Sequence, residues 1–521
     1  MSRSARAAKG FAASVVQFWA QMILQVLLAP IVLKVAGRET LGAFAAIMQT
    51  LGFLAILDVV GSWSLERFLA QATALEDGGV RFRAIFSTAR AVYWLLNGIY
   101  AVLMLILSAF LGRMFHLSPA IALDARHALY VLAVWTVVVR APLSAFNNAL
   151  VATQDIAVAN LISALGMTVR ALAALAFVLL GWGLLGLILG GTAGEGIVSV
   201  LHWVVFRRRH PDLMPGWKMP DKALAREMLG FGGHSAVVNA GSMLMFSSGN
   251  SLAGITSGAA AASTFYTSQM PTLAVYNLLV RMNNSTMPAL NELYGRGDLE
   301  RVRQTFVRLT RLLLLLVLPL ALGVLLFNHD IVVSWVGPQQ YAGLLLTASL
   351  SAYCVVNGLQ GLAIQFSVVF GWVRYLAITS IIQGVVNFGL GFCLGKWIGL
   401  GGITLALVVV ILPQVVMLQQ KIGRFLKVNV VSLLAICGLR SVIPLAAAAA
   451  AGRALHSVIH IRTHHFGGFV AEGSGFALVY FVLAYFLTMV DQDRNDINRA
   501  VKGLIRKGQD IGLRILAPSG R

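Results

Sequence analysis

Four polar residues share one face of a long apolar segment near the middle of the chain. Asn277, Arg281, Asn284 and Ser285 follow the spacing i, i+4, i+7 and i+8, which groups them on one side of a helix. An arginine at the centre of a bilayer costs roughly 2.5–3.5 kcal/mol on insertion scales. A helix that keeps one beside asparagines is predicted to face a wet interior. Arg281, Asn277 and Asn284 are therefore candidate substrate-binding residues.

Three further arginines lie within apolar segments: Arg140, Arg170 and Arg440. A guanidinium fork at such depth suits a pyrophosphate, so Arg140 and Arg170 are also candidate ligands. The alternative is a structural role, in which the arginine contacts helix carbonyls or a buried carboxylate. Glu195 is the natural partner of Arg170, because a short hairpin at 181–183 brings the two to similar depth. For Arg440 the structural interpretation is favoured.

Amide side chains mark the first and seventh apolar segments. Gln17, Gln21 and Gln25 are spaced i, i+4 and i+8, and Asn239 belongs to a similar polar stripe in the seventh segment. Such a stripe can face water or a sugar, or it can form hydrogen bonds between packed helices. The matching positions favour a cavity, so these four residues are candidate substrate ligands.

Acidic and metal-binding chemistry is sparse. Asp58 and Glu195 are the only acids well inside apolar segments, where each could bind a coupling proton or cation; for Glu195 a salt bridge is preferred. The loop 453–469 holds four histidines, for which an interfacial helix is favoured over a metal site. With no Walker A sequence and no catalytic Ser/His or Cys/His set, no metal, cofactor or enzymatic activity is expected.

Composition places the chain in a membrane. Of 521 residues, 58% are hydrophobic and 12% charged, with a mean hydropathy of +0.81. So few charges cannot cover the surface of a soluble protein. The net charge of +20 would suggest nucleic acid in a soluble protein. Here the basic residues cluster at the ends of apolar segments, so membrane lipids and not nucleic acid are the predicted partners.

Apolar segments of about 20 residues predict fourteen transmembrane helices in an all-α polytopic membrane protein. The predicted spans are 10–33, 41–62, 89–112, 128–151, 156–180, 183–206, 228–253, 262–290, 309–327, 342–366, 372–394, 399–420, 431–451 and 470–490. Most lysines and arginines fall in loops on one side of this arrangement. The positive-inside rule then predicts that both termini are cytoplasmic.

An internal repeat divides the chain. Gly10-Phe11 recurs at Gly230-Phe231, and Asp77 and Arg90 recur at Asp298 and Arg311. Two pseudo-symmetric six-helix lobes are therefore predicted, followed by two added helices. The predicted domains are an N-terminal lobe (1–206), a basic cytoplasmic linker (207–227), a C-terminal lobe (228–420), the two added spans (421–490) and a cytoplasmic amphipathic tail (491–521).

The two-lobe plan resembles the multidrug/oligosaccharidyl-lipid/polysaccharide (MOP) flippase superfamily. So do the sequence PALNELYGRGDLERVRQ at 288–304 and the turn-rich segments at 181–191 and 398–407. The two added C-terminal spans are similar to its polysaccharide-biosynthesis (Wzx-like) branch and to the lipid II flippases. In the latter a basic residue in the span of Arg281 lines the central cavity, which implies the same role here.

The resemblance implies alternating access in the bacterial inner membrane with a polyprenyl-pyrophosphate-linked oligosaccharide as substrate, and a polymerase and a chain-length regulator as candidate partners. A multidrug efflux transporter of the same fold is the first alternative. It would be expected to carry acidic cavity residues, whereas the spans hold four arginines and two acids. A membrane-embedded glycosyltransferase would need a catalytic acid or base and a large loop. The glycan, the lipid carrier, the coupling ion and the oligomeric state stay open.

Overall fold

The described residues form helices joined by short turns, and no strand occurs among them. The structure is a computed structural model, and it describes residues 26–54, 65–73, 77, 79–216, 220–460 and 466–495. The first helices are α1 (Val26–Val35), α2 (Gly37–Leu54), α3 (65–72), α4 (Val80–Met114), α5 (Pro119–Ala152), α6 (Ile156–Leu179) and α7 (Gly183–Arg209). Next come α8 (Lys222–Phe246), α9 (Gly249–Ser257), α10 (Ala259–Gly295), α11 (Leu299–Val336), α12 (Leu344–Val369), α13 (Val373–Ile398), α14 (Leu400–Leu426), α15 (Val430–His460) and α16 (Phe466–Leu487).

Nine of the described helices, α4 to α7 and α11 to α15, are long and apolar enough to cross a membrane. They coincide with predicted spans three to six and nine to thirteen. The prediction of an all-α polytopic membrane protein is confirmed.

The five remaining predicted spans are not among these nine helices, for separate reasons. The seventh is interrupted at Ser247 and Ser248, between α8 and α9. The eighth coincides with α10, which is long but less apolar than the nine. The first two extend outside the described residues, and in the last the side chains are described only from Glu472 to Leu487 of α16. The count of fourteen stays a prediction.

Two long helices begin at the aspartates that the sequence repeat relates. The Asp77 carboxylate accepts hydrogen bonds from the N–H groups of Gly79 (2.9 Å) and Arg81 (2.8 Å) at the start of α4. Asp298 accepts one from the N–H of Arg301 (3.1 Å) at the start of α11. Carboxylates in this position satisfy N–H groups that have no partner within the helix, and typically contribute about 1 kcal/mol.

The helices divide into two compact units. Unit 1 contains the described residues up to Leu273, together with Trp335–Tyr353 and Gly371–Gln414. Part of its core is a cluster of four aromatic rings from α4, α5 and α7. Their centroids lie 5.1 to 6.2 Å apart: Phe82, Phe86, Phe146 and Phe206. Close aromatic pairs of this kind hold the three helices in a fixed packing.

Unit 2 contains Ala274–Ser334, Cys354–Phe370 and the described residues from Val415 onward. Tyr480 and Phe476 of α16 pack with Ala448 of α15 in its core. The side chain of Gln365 donates hydrogen bonds to the carbonyl of Asn283 (3.0 Å) and to the hydroxyl of Thr286 (2.7 Å). Interhelical hydrogen bonds from polar side chains stabilise helix packing in membranes.

Candidate functional site

The helices α6 and α7 form a closely packed hairpin in unit 1. Their turn contains Gly181 and Gly183, which both adopt positive φ angles, 86° and 46°. Three glycines spaced four residues apart on α7 face α6: Gly186, Gly190 and Gly194. A methyl group added at Gly194 would lie 2.7 Å from Cβ of Arg170 and 2.7 Å from the carbonyl oxygen of Gly166. The glycine stripe therefore permits an approach that larger residues would block.

This close packing brings Arg170 and Glu195 together near the middle of their helices. The guanidinium Nη2 of Arg170 lies 3.0 Å from Oε1 of Glu195. The predicted pairing of these residues is confirmed. Both side chains remain about half exposed, at 47% and 43%. The pair therefore stands on an accessible wall, where either charge can meet a ligand.

A cavity of about 250 Å³ adjoins this ion pair. We call it the polar cavity, and its lining includes Arg140, Ser144, Asn147, Arg170, Glu195 and His202. Two guanidinium groups and one carboxylate give this lining a net positive charge. Hydroxyl, amide and imidazole groups add neutral hydrogen-bonding partners. This set can receive an anionic group together with polar hydroxyls.

A π turn in α5 positions Arg140 at this cavity. At Thr136–Arg140 the N–H of Ala141 donates to the carbonyl of Thr136, five residues earlier. Pro142 follows and has no N–H, so the hydrogen-bond ladder is already interrupted at this place. The Arg140 guanidinium lies 5.6 Å from the centre of the Tyr100 ring, in a cation–π contact. The aromatic ring thus supports a positive charge at the cavity wall.

A second cavity, of about 210 Å³, is lined mostly by apolar side chains of α1, α2, α5, α6, α7 and α10. We call it the apolar cavity; Phe44, Met48 and Tyr266 are among its lining residues. Arg170 and Glu195 line both this cavity and the polar one. The ion pair is therefore the shared wall between a polar and an apolar compartment of unit 1.

The other predicted site residues are not brought into these cavities by the described structure. Arg281 and Asn277 lie on the part of α10 that belongs to unit 2, and the side chain of Arg281 is exposed. Asn239 and Asn284 lie on α8 and α10, and their side chains fall outside the described structure. The same holds for the whole of Gln17, Gln21, Gln25 and Asp58. Their predicted roles stay predictions.

Sequence reasoning missed five polar residues that line the polar cavity: Ser144, Asn147, Ser163, Ser199 and His202. Arg140, Ser144 and Asn147 follow the spacing i, i+4 and i+7, the same signal that singled out Arg281. His202 is buried, and its Nε2 lies 3.4 Å from the carbonyl oxygen of Ala159. Nothing in its sequence surroundings distinguishes it from a packing residue.

The predicted histidine-rich segment is described only in part. Nδ1 of His456 lies 3.2 Å from Oε2 of Glu472 and 3.9 Å from Oδ2 of Asp330. His464 and His465 fall outside the described residues. Within the described part of the chain, no group of three or more His, Cys, Asp or Glu residues could hold a metal ion.

The nine long apolar helices are those of a multi-pass membrane protein. A structure of the lipid II flippase MurJ in an inward closed conformation matches with a TM-score of 0.65 and 13% sequence identity, covering 91% of this chain and 98% of that chain. An inward-facing structure of a MATE family multidrug resistance transporter of the MOP superfamily matches with a TM-score of 0.64 and 14% identity, covering 81% of this chain and 99% of that one. The chain therefore has the fold of MOP-superfamily transporters and flippases.

The chain belongs to the polysaccharide biosynthesis protein family, whose model matches residues 37–343, more than half of the sequence. Among curated protein sequences, none is significantly similar to it. The resemblance inferred from the sequence is confirmed.

Proposed function

We propose that this chain is a flippase for an anionic polyprenyl-pyrophosphate-linked oligosaccharide. It would carry this substrate across the bacterial inner membrane by alternating access, with both termini in the cytoplasm, for the synthesis of capsule, exopolysaccharide or O-antigen. It performs no covalent chemistry on the substrate. The family membership, and the similarity of the fold to that of a lipid II flippase, support the proposal.

The observation that carries the proposal is the cationic polar cavity between membrane-spanning helices. Arg140 and Arg170 both line it, on helices apolar enough to cross a membrane. Charge is costly at such a place, so arginines there commonly mark a substrate pathway. A pyrophosphate provides several oxygens for bidentate contacts, and hydrogen bonds to charged groups contribute roughly 1.5–3 kcal/mol each. Asn147 and Ser144 would meet sugar hydroxyls.

Glu195 gives the cavity a means of releasing its ligand. In the structure its carboxylate forms an ion pair with the Arg170 guanidinium at 3.0 Å. A pyrophosphate would compete for the same guanidinium, so substrate binding and the ion pair exclude one another in part. Protonation of Glu195 would favour the substrate, which makes Glu195 a candidate for the coupling-ion site, as Asp58 is. Substrate-binding roles are also proposed for Arg281, Asn277, Asn284, Asn239 and the glutamines of the first predicted span.

Complementation of a deletion strain tests this function. The deletion should abolish the surface polysaccharide and cause lipid-linked precursor to accumulate on the cytoplasmic side. We expect Arg140→Ala, Arg170→Ala and Arg281→Ala each to reach the membrane at normal abundance and fail to restore the polysaccharide. Arg113→Ala, an exposed arginine in the last turn of α4, is the control and should complement fully. Full complementation by all three variants at native expression would refute the proposed role of the arginines.

One observation favours a second function, efflux of cationic drugs. The fold also matches a multidrug transporter, and the apolar cavity contains a carboxylate, Glu195, beside aromatic side chains. A cationic drug would need that carboxylate freed from Arg170. Normal surface polysaccharide in the deletion strain, together with new sensitivity to lipophilic cations, would establish efflux in place of the flippase function.

A further inference from the structure

A cavity of about 160 Å³ lies within unit 2, and none of the residues proposed above to bind substrate lines it. It is lined by α11, by α15 and by residues 488–493, which follow α16. We call it the Arg440 pocket. Its polar lining residues are Arg311, Arg440, Ser441, Thr488 and Asp493, and the rest are mostly leucines and an isoleucine from α11 and α15. The pocket is thus charged at one side and apolar at the other.

The segment after α16 is held by hydrogen bonds to the end of α16 and to α15. The Arg494 guanidinium donates to the carbonyl oxygens of Tyr485 and Phe486, both at 2.6 Å, and lies 5.8 Å from the centre of the Tyr485 ring. The hydroxyl of Thr488 donates to the carbonyl oxygen of Arg440 at 3.0 Å. These contacts satisfy carbonyls at the end of α16 and hold Asp493 at the pocket wall.

Positive charge exceeds negative charge in the pocket. The buried carboxylate of Asp493 lies 3.2 Å from Nη2 of Arg311 and 3.4 Å from Nε of Arg308. A single carboxylate therefore faces two guanidinium groups. Among the residues that line the pocket, Arg311 and Arg440 carry positive charge and Asp493 negative charge, and Arg440 forms no salt bridge within the described part of the chain. The pocket is left with a surplus of cationic hydrogen-bond donors that a phosphate could satisfy.

The surroundings of Arg440 on α15 are apolar and exposed. Ile436, Leu439 and Ile443 stand at about three- and four-residue spacings on one face, and Leu439 is 72% exposed. The first ten residues of α15, VVSLLAICGL, are mostly apolar, and Arg440 lies about 15 Å along the helix from Val430. A charge at that depth beside exposed leucine and isoleucine is costly in hydrocarbon unless a polar group reaches it.

We propose that the Arg440 pocket binds the phosphate of an anionic membrane phospholipid, with an acyl chain lying along the Ile436, Leu439 and Ile443 face of α15. Arg440 and Arg311 contact the phosphate oxygens, and Thr488 and Ser441 lie within the same pocket. The apolar face continues from the pocket, so a ligand with a phosphate and a hydrocarbon chain satisfies both halves of the site. A free phosphate would leave the apolar half uncovered. The net positive charge favours an anionic headgroup over a zwitterionic one.

Thermal unfolding of the purified full-length chain in detergent tests this site. A ligand that binds the folded state alone raises Tm with its concentration. Added phosphatidylglycerol should raise Tm in a saturable manner, whereas phosphatidylcholine and inorganic phosphate at equal concentration should not. Arg440→Gln should weaken the apparent affinity for phosphatidylglycerol by about tenfold or more, because it removes a charge-assisted contact. Arg453→Gln, an exposed arginine on the same helix, is the matched control and should leave the affinity unchanged.

Three outcomes would overturn the assignment. They are an unchanged phosphatidylglycerol response in Arg440→Gln, an equal response to phosphatidylcholine, and an equal response to inorganic phosphate. If the glutamine variant does not accumulate, Arg440→Lys replaces it. Lysine keeps the charge and loses the bidentate fork, so the affinity should still fall several-fold. These measurements involve no transport, so they are independent of the proposed flippase function.

Discussion

Two arginine–carboxylate contacts in this chain have the same chemistry and opposite surroundings. In unit 1, Arg170 and Glu195 form a single pair, 3.0 Å apart and about half exposed on a wall shared by two cavities. In unit 2, Asp493 has only 4% of its side chain exposed and lies beside both Arg308 and Arg311.

The difference in exposure indicates which of the two arginine–carboxylate contacts a ligand can replace. An accessible ion pair contributes little net stability, since each group can be solvated when the pair opens. The buried carboxylate of Asp493 is the counter-charge of two arginines. Its removal would leave the guanidinium groups of Arg308 and Arg311 close together without a negative charge between them. We therefore expect a ligand to be able to displace the exposed pair and the buried carboxylate to stabilise the fold, and three substitutions test this contrast.

The largest effect is expected at the buried carboxylate. Asp493→Asn should lower the free energy of unfolding by about 3–5 kcal/mol, because it leaves Arg308 and Arg311 without their counter-charge. Thermal unfolding in detergent would show this as a marked fall in Tm. Asp491→Asn is the matched control, since its carboxylate pairs with Arg494 but is 90% exposed. Equal Tm values for the two variants would show that Asp493 is no anchor.

A moderate effect is expected where α6 and α7 approach most closely around the exposed pair. In Gly194→Ala the added methyl group meets Cβ of Arg170 and the carbonyl of Gly166, both at 2.7 Å. Relieving such overlap should cost about 1–3 kcal/mol and separate the two helices. Gly191→Ala, one turn earlier, adds a methyl group with no atom within 4 Å and should leave Tm unchanged. A Gly194→Ala variant as stable as the wild type would mean that the glycine stripe is not needed for packing.

The smallest effect on stability is expected at the exposed pair of Arg170 and Glu195. An effect on function is expected there as well. Glu195→Gln should change the free energy of unfolding by less than about 1 kcal/mol, as is usual for accessible ion pairs. Surface polysaccharide in a complemented deletion strain should nevertheless fall, because Arg170 would no longer have a partner that competes with the substrate. Measuring Tm and complementation on the same variant separates the two roles. A large loss of stability together with normal complementation would mean that the exposed pair stabilises the fold and is not needed for function.

Much of the fold follows from the sequence because apolar length is a local property. The α6–α7 pair was predictable for a similar reason: the turn at Gly181 and Gly183 is short, so Arg170 and Glu195 must lie at similar depth. The contact of Asp493 with Arg308 and Arg311 was not predictable, since it joins residues nearly 200 positions apart. Of the predicted amphipathic tail (491–521), the structure describes residues 491–495, and the rest stays a prediction.

Residues of the polar cavity were predictable only in part. Arg140 and Arg170 stand out because charge is rare in apolar segments. Asn147 and Ser144 carry the helical spacing from Arg140, but the π turn that sets the direction of Arg140 is a backbone feature. Pro142 signals an interrupted ladder at this place without showing which form the interruption takes. The side-chain direction therefore had to come from the structure.

The π turn of α5 holds one residue more than the α-helical turn it replaces, so it is equivalent to a single-residue insertion in an otherwise continuous helix. Each residue of an α-helix advances about 100° around the axis. Such an insertion rotates the part of the helix on one side of it about the helix axis. The part on the other side, which includes Phe146 and its aromatic contacts, keeps its packing. One inserted codon can thus change the direction in which the side chain of Arg140 points.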